Sequence, residues 1–388
     1  MSLKSETFEL LEDRDFLDYL RKNCSAFSES EGKASLEDLG GNINRVRRVA
    51  FRTAAGKRTS LIVKHVPRDG HLARYPAIKF CDRRLDREHD WYQWCHQVRE
   101  PASTVKVPDV IHYDRERRVM VMEDLGAGTA FDSLLQSTGD KKNVLGNLGS
   151  FLGSTHRASL ASTVPLAKDN EAARQNRRYV FTMHVEEPDT VSRIWHDIYG
   201  KHSKISLAAR IAMKEEYLDK YSGQISPVLE ELESTFKTAG KVVYTHGDLH
   251  TRSIIVSQSG TIGIIDAELS DYGNSCFDLG IFGAHLWAHS ISLGLPQDEV
   301  LKDTASFLGP YSRSFAPGEP DLDLLADFIR HAGAEMLRRL LGPAGFNTDL
   351  SREDFSEMLI TATDLLLDGD YLVADLLEAI EQEAVEGL

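Results

Sequence analysis

Cysteine is scarce in this sequence, and basic residues are outnumbered by acidic ones. Four cysteines occur in 388 residues, and none of them forms a Cys-x-x-Cys pair. This pattern gives no zinc framework and is typical of free thiols in a reducing compartment. The 45 Lys and Arg against 60 Asp and Glu leave a formal charge of -15. That charge argues against a nucleic-acid-binding protein, because phosphate contacts need a basic surface.

Long apolar runs are also missing. No stretch approaches the ~20 consecutive apolar residues that a membrane-spanning helix requires. The N-terminal stretch is acidic and amphipathic, with Leu10, Leu11, Phe16, Leu17 and Leu20 near helical spacing, unlike a secretory or transit peptide. We therefore expect a cytoplasmic protein with no membrane and no nucleic-acid partner, and the sequence leaves a homodimer open.

A change of pattern near residue 125 divides the chain into two expected lobes. A chain of 388 residues exceeds the usual size of a single core. Short β-rich runs with one helical stretch, DREHDWYQWCHQV, precede the change, and mainly helical segments follow it. We predict an α/β (α+β) fold with a small antiparallel sheet lobe, residues 1–124, and a larger helical lobe, residues 125–388.

One turn carries the strongest chemical signal. The segment VVYTHGDLHTRSIIV, residues 242–256, places Gly247 and Asp248 between two β-branched apolar runs. Gly247 permits a tight turn that would hold Asp248 at a strand end. We predict that Asp248 is the catalytic residue, which orients a substrate hydroxyl and accepts its proton.

Two further acids follow the next predicted strand, IGIID. Asp266 ends it and Glu268 comes two residues later, on the same side if the chain stays extended. Three converging carboxylates would repel one another without a cation, and an all-oxygen set suits Mg²⁺ carried with a phosphate substrate. We therefore predict Asp266 and Glu268, with Ser253, as metal ligands. The alternative is that such acids serve turn chemistry alone.

His246 and His250 flank Asp248 as His-x-Asp-x-His. This spacing would also suit a zinc hydrolase site. No third cluster with metal-ligand spacing supports zinc, so a hydrogen-bonded structural role is favoured for His246.

A lysine and a glutamate upstream predict a nucleotide site. Lys64 lies in the apolar strand SLIVKHV, and Glu88 lies on the helical stretch that follows. In protein kinases a Lys–Glu pair so placed directs the lysine at the α- and β-phosphates. A strand lysine that reaches solvent is the alternative.

Backbone groups on either side of this pair complete the predicted nucleotide site. A glycine-containing turn before a strand would let amides approach a phosphate; its residues are Gly40, Gly41 and Asn42. The end of the strand VMVMEDLG would present backbone groups to an adenine edge; its residues are Met122, Glu123, Asp124 and Leu125.

Taken together, these motifs resemble the methylthioribose kinase family, within the choline-kinase and aminoglycoside-phosphotransferase group of protein-kinase-like folds. The matching segments are GGNIN, SLIVKH, HYD, VMEDL, HGDLHTRS, IDAEL with YG…FDLG, and AGAEMLRRLLG. Their order and spacing agree over nearly the whole chain. The resemblance implies a two-lobed kinase that uses ATP and Mg²⁺, with Asp248 as catalytic base. It also implies a small-molecule hydroxyl acceptor bound by Asn44, Arg338 and Arg339.

Two positions depart from the family pattern. Arg252 stands where the family has Gly, in HGDLHTGS, and Asn274–Cys276 replace Pro-Met-Gly in a segment that borders the active cleft of such folds. Methylthioribose or a similar sugar is the predicted acceptor. A hydroxylated metabolite such as a hydroxytryptamine is the alternative, because fungal kinases of that class share the motif style around Glu268.

Two alternatives come from other classes of protein. A metal-dependent phosphohydrolase would employ the same carboxylates, and a nucleotide-binding module without catalysis would need none of them. For Arg338 and Arg339, the alternative to acceptor binding is an ion pair with a core carboxylate such as Glu335.

Overall fold

A computed structural model describes most of the chain and groups it into two compact units. It describes residues 13–28, 31–40, 44–66, 81–100, 103–126, 128–135, 141–160, 170–182, 205–237, 242–318, 321–342, 345–346 and 350–386. One unit is Met1–Trp94 with Val107–Gly126, and the other is Cys95–Lys106 with Ala127–Leu388. Leu10, Leu11, Gly41 and Asn42 lie outside the described residues.

Strands dominate the first unit and helices the second. Within the described residues the strands are β1 (Glu31–Gly40), β2 (Arg45–Arg52), β3 (Arg58–His65), β4 (Val105–Lys106), β5 (Val110–Asp114), β6 (Val119–Glu123), β7 (Thr129–Ala130), β8 (Val242–Thr245), β9 (Ile254–Val256), β10 (Ile262–Ile264) and β11 (Asp271–Asn274). The helices are α1 (Asp13–Asn23), α2 (Ser25–Ser28), α3 (Arg84–Val98), α4 (Phe131–Leu135), α5 (Lys141–Leu160), α6 (Glu171–Phe181), α7 (Leu207–Thr235), α8 (Ser275–Ser292), α9 (Gln297–Phe315), α10 (Leu322–Leu341), α11 (Arg352–Leu367) and α12 (Asp370–Glu386).

The first unit is built on an antiparallel sheet with the strand order β1-β2-β3-β6-β5. Residues two apart on a strand face the same side, so Val49 and Phe51 of β2 share a face. This apolar face packs against α1 and α2 through side chains such as Phe16, Leu20 and Phe27. The amphipathic N-terminal stretch thus supplies one side of the core of this unit.

The second unit combines helices with two small sheets, ordered β4-β10-β9-β7 and β11-β8. Residues 95–106 belong to this unit, although the sequence pattern assigned them to the first lobe, because β4 pairs in parallel with β10. The predicted α/β class, with an antiparallel sheet followed by a mainly helical region, is confirmed. None of the described helices combines the length and apolar character needed to cross a membrane.

Helices α5 and α9 approach each other closely because α5 carries glycine at the contact. A Cβ at Gly149 would stand 2.1 Å from the backbone oxygen of Phe307, whereas a Cβ at Gly146, one turn earlier, would meet nothing nearer than 3.7 Å. A backbone atom cannot move aside as a flexible side chain can. Gly149 therefore sets the distance between these two helices.

We expect Gly149→Ala to lower the free energy of unfolding by about 1–3 kcal/mol, the usual cost of overpacking a core. Gly146→Ala is the matched control on the same helix. It should be neutral or stabilising by up to about 1 kcal/mol, because alanine favours the helix and the added methyl fits. Urea unfolding of both variants measures the difference. Equal stability of the two would contradict the close approach of α5 and α9.

Candidate active site

The turn that carries Asp248 is held by a buried carboxylate from α8. Asp278 accepts the backbone N–H of His246 at 2.6 Å and that of Gly247 at 2.8 Å. Gly247 has φ +84°, and a Cβ there would stand 2.0 Å from the backbone oxygen of Leu269. Only glycine fits this conformation without displacing backbone. The expected tight turn is therefore present, and Asp278 fixes it.

Both ring nitrogens of His246 are engaged inside this turn. Nδ1 accepts the backbone N–H of Asp248 at 3.3 Å, so the proton lies on Nε2, which is 2.9 Å from the backbone oxygen of Ile265. Burial lowers the pKa of His246 despite the nearby Asp278, so the ring is neutral. The described part of the chain contains no group of three or more His, Cys, Asp or Glu arranged to hold a metal. His246 is thus structural, and a zinc hydrolase site finds no support.

Asp248 projects from the turn with its side chain 26% exposed. Its Oδ1 accepts a hydrogen bond from Arg339 Nη2 at 3.1 Å, and its Oδ2 lies 3.8 Å from His250 Nε2. Burial acts to raise the pKa of Asp248, but His250, Arg339 and Arg338 outweigh it and leave the pKa below its usual value. The carboxylate is therefore ionised at neutral pH and oriented from two sides.

Glu335 gathers both arginines of α10 into one buried ion cluster. Arg338 donates from Nε at 2.9 Å and from Nη2 at 2.5 Å, and Arg339 donates from Nε at 2.7 Å. Glu335 is 1% exposed, and it precedes the arginines by three and four residues on the helix. Both arginines thus form ion pairs with Glu335, and Arg339 also donates to Asp248. These ion pairs remove the cost of burying an unpaired charge.

His285 of α8 lies beside His250. The ring centroids are 5.4 Å apart, and the edge of Phe346 packs 5.0 Å from the His285 ring. Burial, reinforced by Arg339, lowers the pKa of His285 well below its usual value. In the sequence nothing in its local context distinguishes His285 from His289 one turn later.

The predicted metal ligands differ in exposure and in their contacts. Asp266 follows β10 with φ +67° and is half-buried, and Asp tolerates this conformation better than most residues. Glu268 is 7% exposed. Ser253 is buried, and its hydroxyl donates to the backbone oxygen of Asp248 at 3.1 Å while its N–H donates to His250 Nδ1. Ser253 therefore stabilises the turn, and its role as a metal ligand stays a prediction.

The remaining acids still fit a nucleotide-borne Mg²⁺ ion. Magnesium in such sites is bound by one or two carboxylates together with substrate phosphates and water, so a three-residue protein cage is not required. Asp248 and Asp266 both act electrostatically on His250, which places both acids near the same ring. Asp266 thus meets the requirement, and Glu268 is the neighbouring second carboxylate.

In the first unit, Lys64 and Glu88 form the predicted ion pair. Lys64 is 3% exposed, and its Nζ is 2.5 Å from Glu88 Oε1. The hydroxyl of Tyr92 donates to the same carboxylate oxygen at 2.6 Å. A lysine that reaches solvent is excluded by this burial. The pair fixes the ammonium group at the end of β3.

Asn44 is held inside the first unit. Its Oδ1 accepts hydrogen bonds from Arg84 Nε at 3.1 Å and Nη2 at 2.7 Å, and both residues are buried. The side chain therefore joins the segment before β2 to α3, and its contact with an acceptor stays a prediction. Gly40 adopts φ +78° at the end of β1, consistent with the expected turn.

The end of β6 uses part of the predicted adenine-binding backbone within the sheet. Met122 pairs with Ile62, and the Glu123 N–H donates to the backbone oxygen of Asp109 at 2.9 Å. The Asp124 carboxylate accepts from Arg48 Nε at 2.7 Å and from Ser60 Oγ at 2.6 Å. Leu125 is half-buried. The N–H of Glu123 is therefore used within the first unit, and the adenine contacts predicted for residues 122–125 stay a prediction.

The departures from the family pattern have different structural outcomes. The Arg252 side chain is exposed, with Nε 4.0 Å from Asp132 Oδ2. Asn274 caps α8, because its side chain accepts the N–H of Cys276 at 2.9 Å. Asn274, Ser275 and Cys276 are all buried. Asn274 therefore has a structural role as a helix cap, and the expectation that this segment borders the acceptor site stays a prediction.

Comparisons with known proteins agree on the type of protein. The profile of the phosphotransferase enzyme family matches residues 37–325. The chain is 28% identical to a methylthioribose kinase of Exiguobacterium sibiricum over 350 residues, 79% of each chain. It is 24% identical to a 4-hydroxytryptamine kinase of Psilocybe cyanescens, covering 71% of this chain and 73% of the relative. A choline kinase structure from Cryptosporidium parvum shares the fold, with a TM-score of 0.58, 14% identity, and coverage of 94% and 99%.

We expect Asp278→Asn to destabilise the second unit. The asparagine amide has only one oxygen, so its N–H₂ group would face one of the two backbone N–H donors and that hydrogen bond would be lost. Each lost hydrogen bond to a charged group costs about 1.5–3 kcal/mol. Asp298→Asn, at an exposed position of α9, is the control and should change stability by less than about 0.5 kcal/mol. Urea unfolding gives both values. A parent-like Asp278→Asn would show that this carboxylate does not fix the turn.

Proposed function

The chain belongs to the phosphotransferase enzyme family, and we propose that it is a kinase that transfers the γ-phosphate of ATP to a hydroxyl group of 5-methylthioribose or a similar sugar. The observation that carries this proposal is the ionised, partly exposed Asp248, held in a fixed turn and hydrogen-bonded to Arg339. Similarity to a methylthioribose kinase over 79% of the chain supports the choice of acceptor.

Asp248 would act on the acceptor hydroxyl. Its Oδ1 already accepts from Arg339, whereas its Oδ2 lies beyond hydrogen-bond distance from His250. Oδ2 is therefore the oxygen that would accept the hydroxyl hydrogen, orient the nucleophile and take its proton as the phosphoryl group is transferred. The lowered pKa keeps this oxygen unprotonated at neutral pH.

Lys64 would bind the phosphates of ATP in the first unit, oriented by Glu88. Asp266 and Glu268 of the second unit would hold the Mg²⁺ ion. When bound, the ion neutralises negative charge on the phosphate groups. The protein residues then have two tasks, which are to position both substrates and to hold the acceptor proton at Asp248.

Kinase activity on a hydroxytryptamine is the second candidate, because the fungal relative covers 71% of this chain. Such an acceptor carries a positive amine. Arg339 next to Asp248 favours an acceptor with several hydroxyls, since guanidinium groups donate hydrogen bonds to oxygen. A phosphohydrolase is less well supported, because two-metal hydrolysis needs a cluster of metal ligands that the described residues do not form.

The acceptor is identified by kinetics with purified protein, Mg-ATP, methylthioribose, simple sugars and hydroxytryptamine. We expect the highest kcat/KM on methylthioribose or a related sugar, and Asp248→Asn should lower kcat at least ~10²-fold while ATP still binds. Near-normal turnover by Asp248→Asn would exclude its role as base. ATP hydrolysis that outpaces transfer to every acceptor would favour the phosphohydrolase.

The two arginines should differ in their effect on pH dependence. Arg339→Met removes a cation that lowers the Asp248 pKa, and burial then raises it. Because the base works only when unprotonated, the acid limb of the kcat/KM profile should move to higher pH. Arg338→Met also removes one positive charge beside Glu335, but it removes no hydrogen bond to Asp248. It should therefore move the acid limb by less. Identical acid limbs in Arg339→Met and the parent would contradict this coupling.

A further inference from the structure

His285 carries a buried ring nitrogen that the fold does not use. Its Nε2 is enclosed and has no hydrogen-bond partner among the residues that the structure describes. Native proteins leave few buried polar atoms unsatisfied, and each costs about 1–3 kcal/mol. A ligand with a polar group at this point would remove that cost.

The surroundings of His285 connect it to the candidate base. His250 Nδ1 accepts the N–H of Ser253 at 3.1 Å, so a neutral His250 carries its proton on Nε2, 3.8 Å from Asp248 Oδ2. The His285 ring lies 5.4 Å from the His250 ring. His285 is therefore separated from the base by a single side chain.

The charge state of His285 suits a hydroxyl group. Burial, together with the nearby Arg339, holds its pKa well below the usual range, and the ring is neutral at pH 7. A neutral imidazole has one donor and one acceptor, as a hydroxyl does.

His289 shows what is particular to His285. It lies one turn later on α8, and its Nε2 is also buried without a partner among the described residues. Its electrostatic neighbours are Asp132 and Lys141, not the residues around Asp248. His285 differs from His289 because it lies next to Asp248, and the unsatisfied nitrogen alone does not distinguish the two.

We infer that His285 Nε2 hydrogen-bonds a polar group of the phosphoryl acceptor other than the hydroxyl that is phosphorylated. The inference rests on the proposed function and deepens it. It makes His285 a specificity-determining residue that selects acceptors with a second hydroxyl close to the first, as in a sugar ring. The transferred hydroxyl is bound at Asp248, and the second hydroxyl is bound at His285.

Calorimetric binding of 5-methylthioribose to the parent, His285→Leu, His285→Gln and His289→Leu tests the inference without relying on turnover. His285→Leu should weaken binding about tenfold, the value of one lost hydrogen bond of about 1.4 kcal/mol. His285→Gln, which keeps a donor and an acceptor, should recover part of the affinity. His289→Leu should bind within about twofold of the parent, and ATP affinity should be unchanged in all three variants.

Thermal unfolding controls for misfolding, and His285→Leu should be at least as stable as the parent because it removes an unsatisfied polar atom. Parent-like affinity in His285→Leu overturns the inference and leaves the proposed kinase intact. The same titrations with hydroxytryptamine serve if the parent binds that compound instead, and equal affinity of parent and His285→Leu again overturns the inference. A parent that binds neither compound overturns the inference together with the proposed acceptors.

Discussion

The two hydrogen bonds from backbone N–H groups to the carboxylate of Asp278 are the contacts on which the candidate active site depends. They lie on residues 246 and 247, next to Asp248, and the carboxylate that accepts them is buried. Bonds to an ionised acceptor are stronger than neutral ones, and inside the protein water does not compete for them. These bonds fix the backbone next to Asp248, the proposed base, and a fixed backbone helps to position an acceptor hydroxyl precisely.

A second buried carboxylate, Glu335, holds the two arginine side chains near Asp248 in place. Two guanidinium groups on adjacent residues of one helix would be costly to bury alone, and one shared anion neutralises part of that charge. Arg339 still has an N–H group left for Asp248. The result is a chain of alternating charges, Glu335 to Arg339 to Asp248, that keeps the base ionised although it is largely buried.

Sequence alone predicted the fold class, the family and the Lys64–Glu88 pair, because each rests on local pattern. Each of these patterns spans only a few consecutive residues: apolar alternation, a Gly-containing turn, and a lysine in an apolar strand. Glu335 was considered as a partner of one arginine but not of both. The role of Asp278, 31 residues beyond the turn it holds, and the place of His285 beside His250 come from tertiary packing, and no spacing rule reports them.

The same limit explains the residues whose surroundings differ from the expectation. Ser253 and Asn44 occupy motif positions. The Ser253 hydroxyl hydrogen-bonds to the backbone oxygen of Asp248 and contacts His250 Nδ1, and Asn44 accepts hydrogen bonds from Arg84. Asn274 caps a helix, a role that the motif comparison does not show. A polar side chain can hydrogen-bond to several nearby groups, and a sequence does not show which of these bonds forms in the fold.

The covering of the first sheet by α1 and α2 has a consequence for handling the protein. Val49, Phe51, Leu61 and Val63 face these helices, and without them the strands would present a continuous apolar surface to water. Exposed surfaces of this kind promote self-association. The N-terminal helices therefore keep the first sheet from self-association, and we expect a shortened chain that starts at β1 to aggregate.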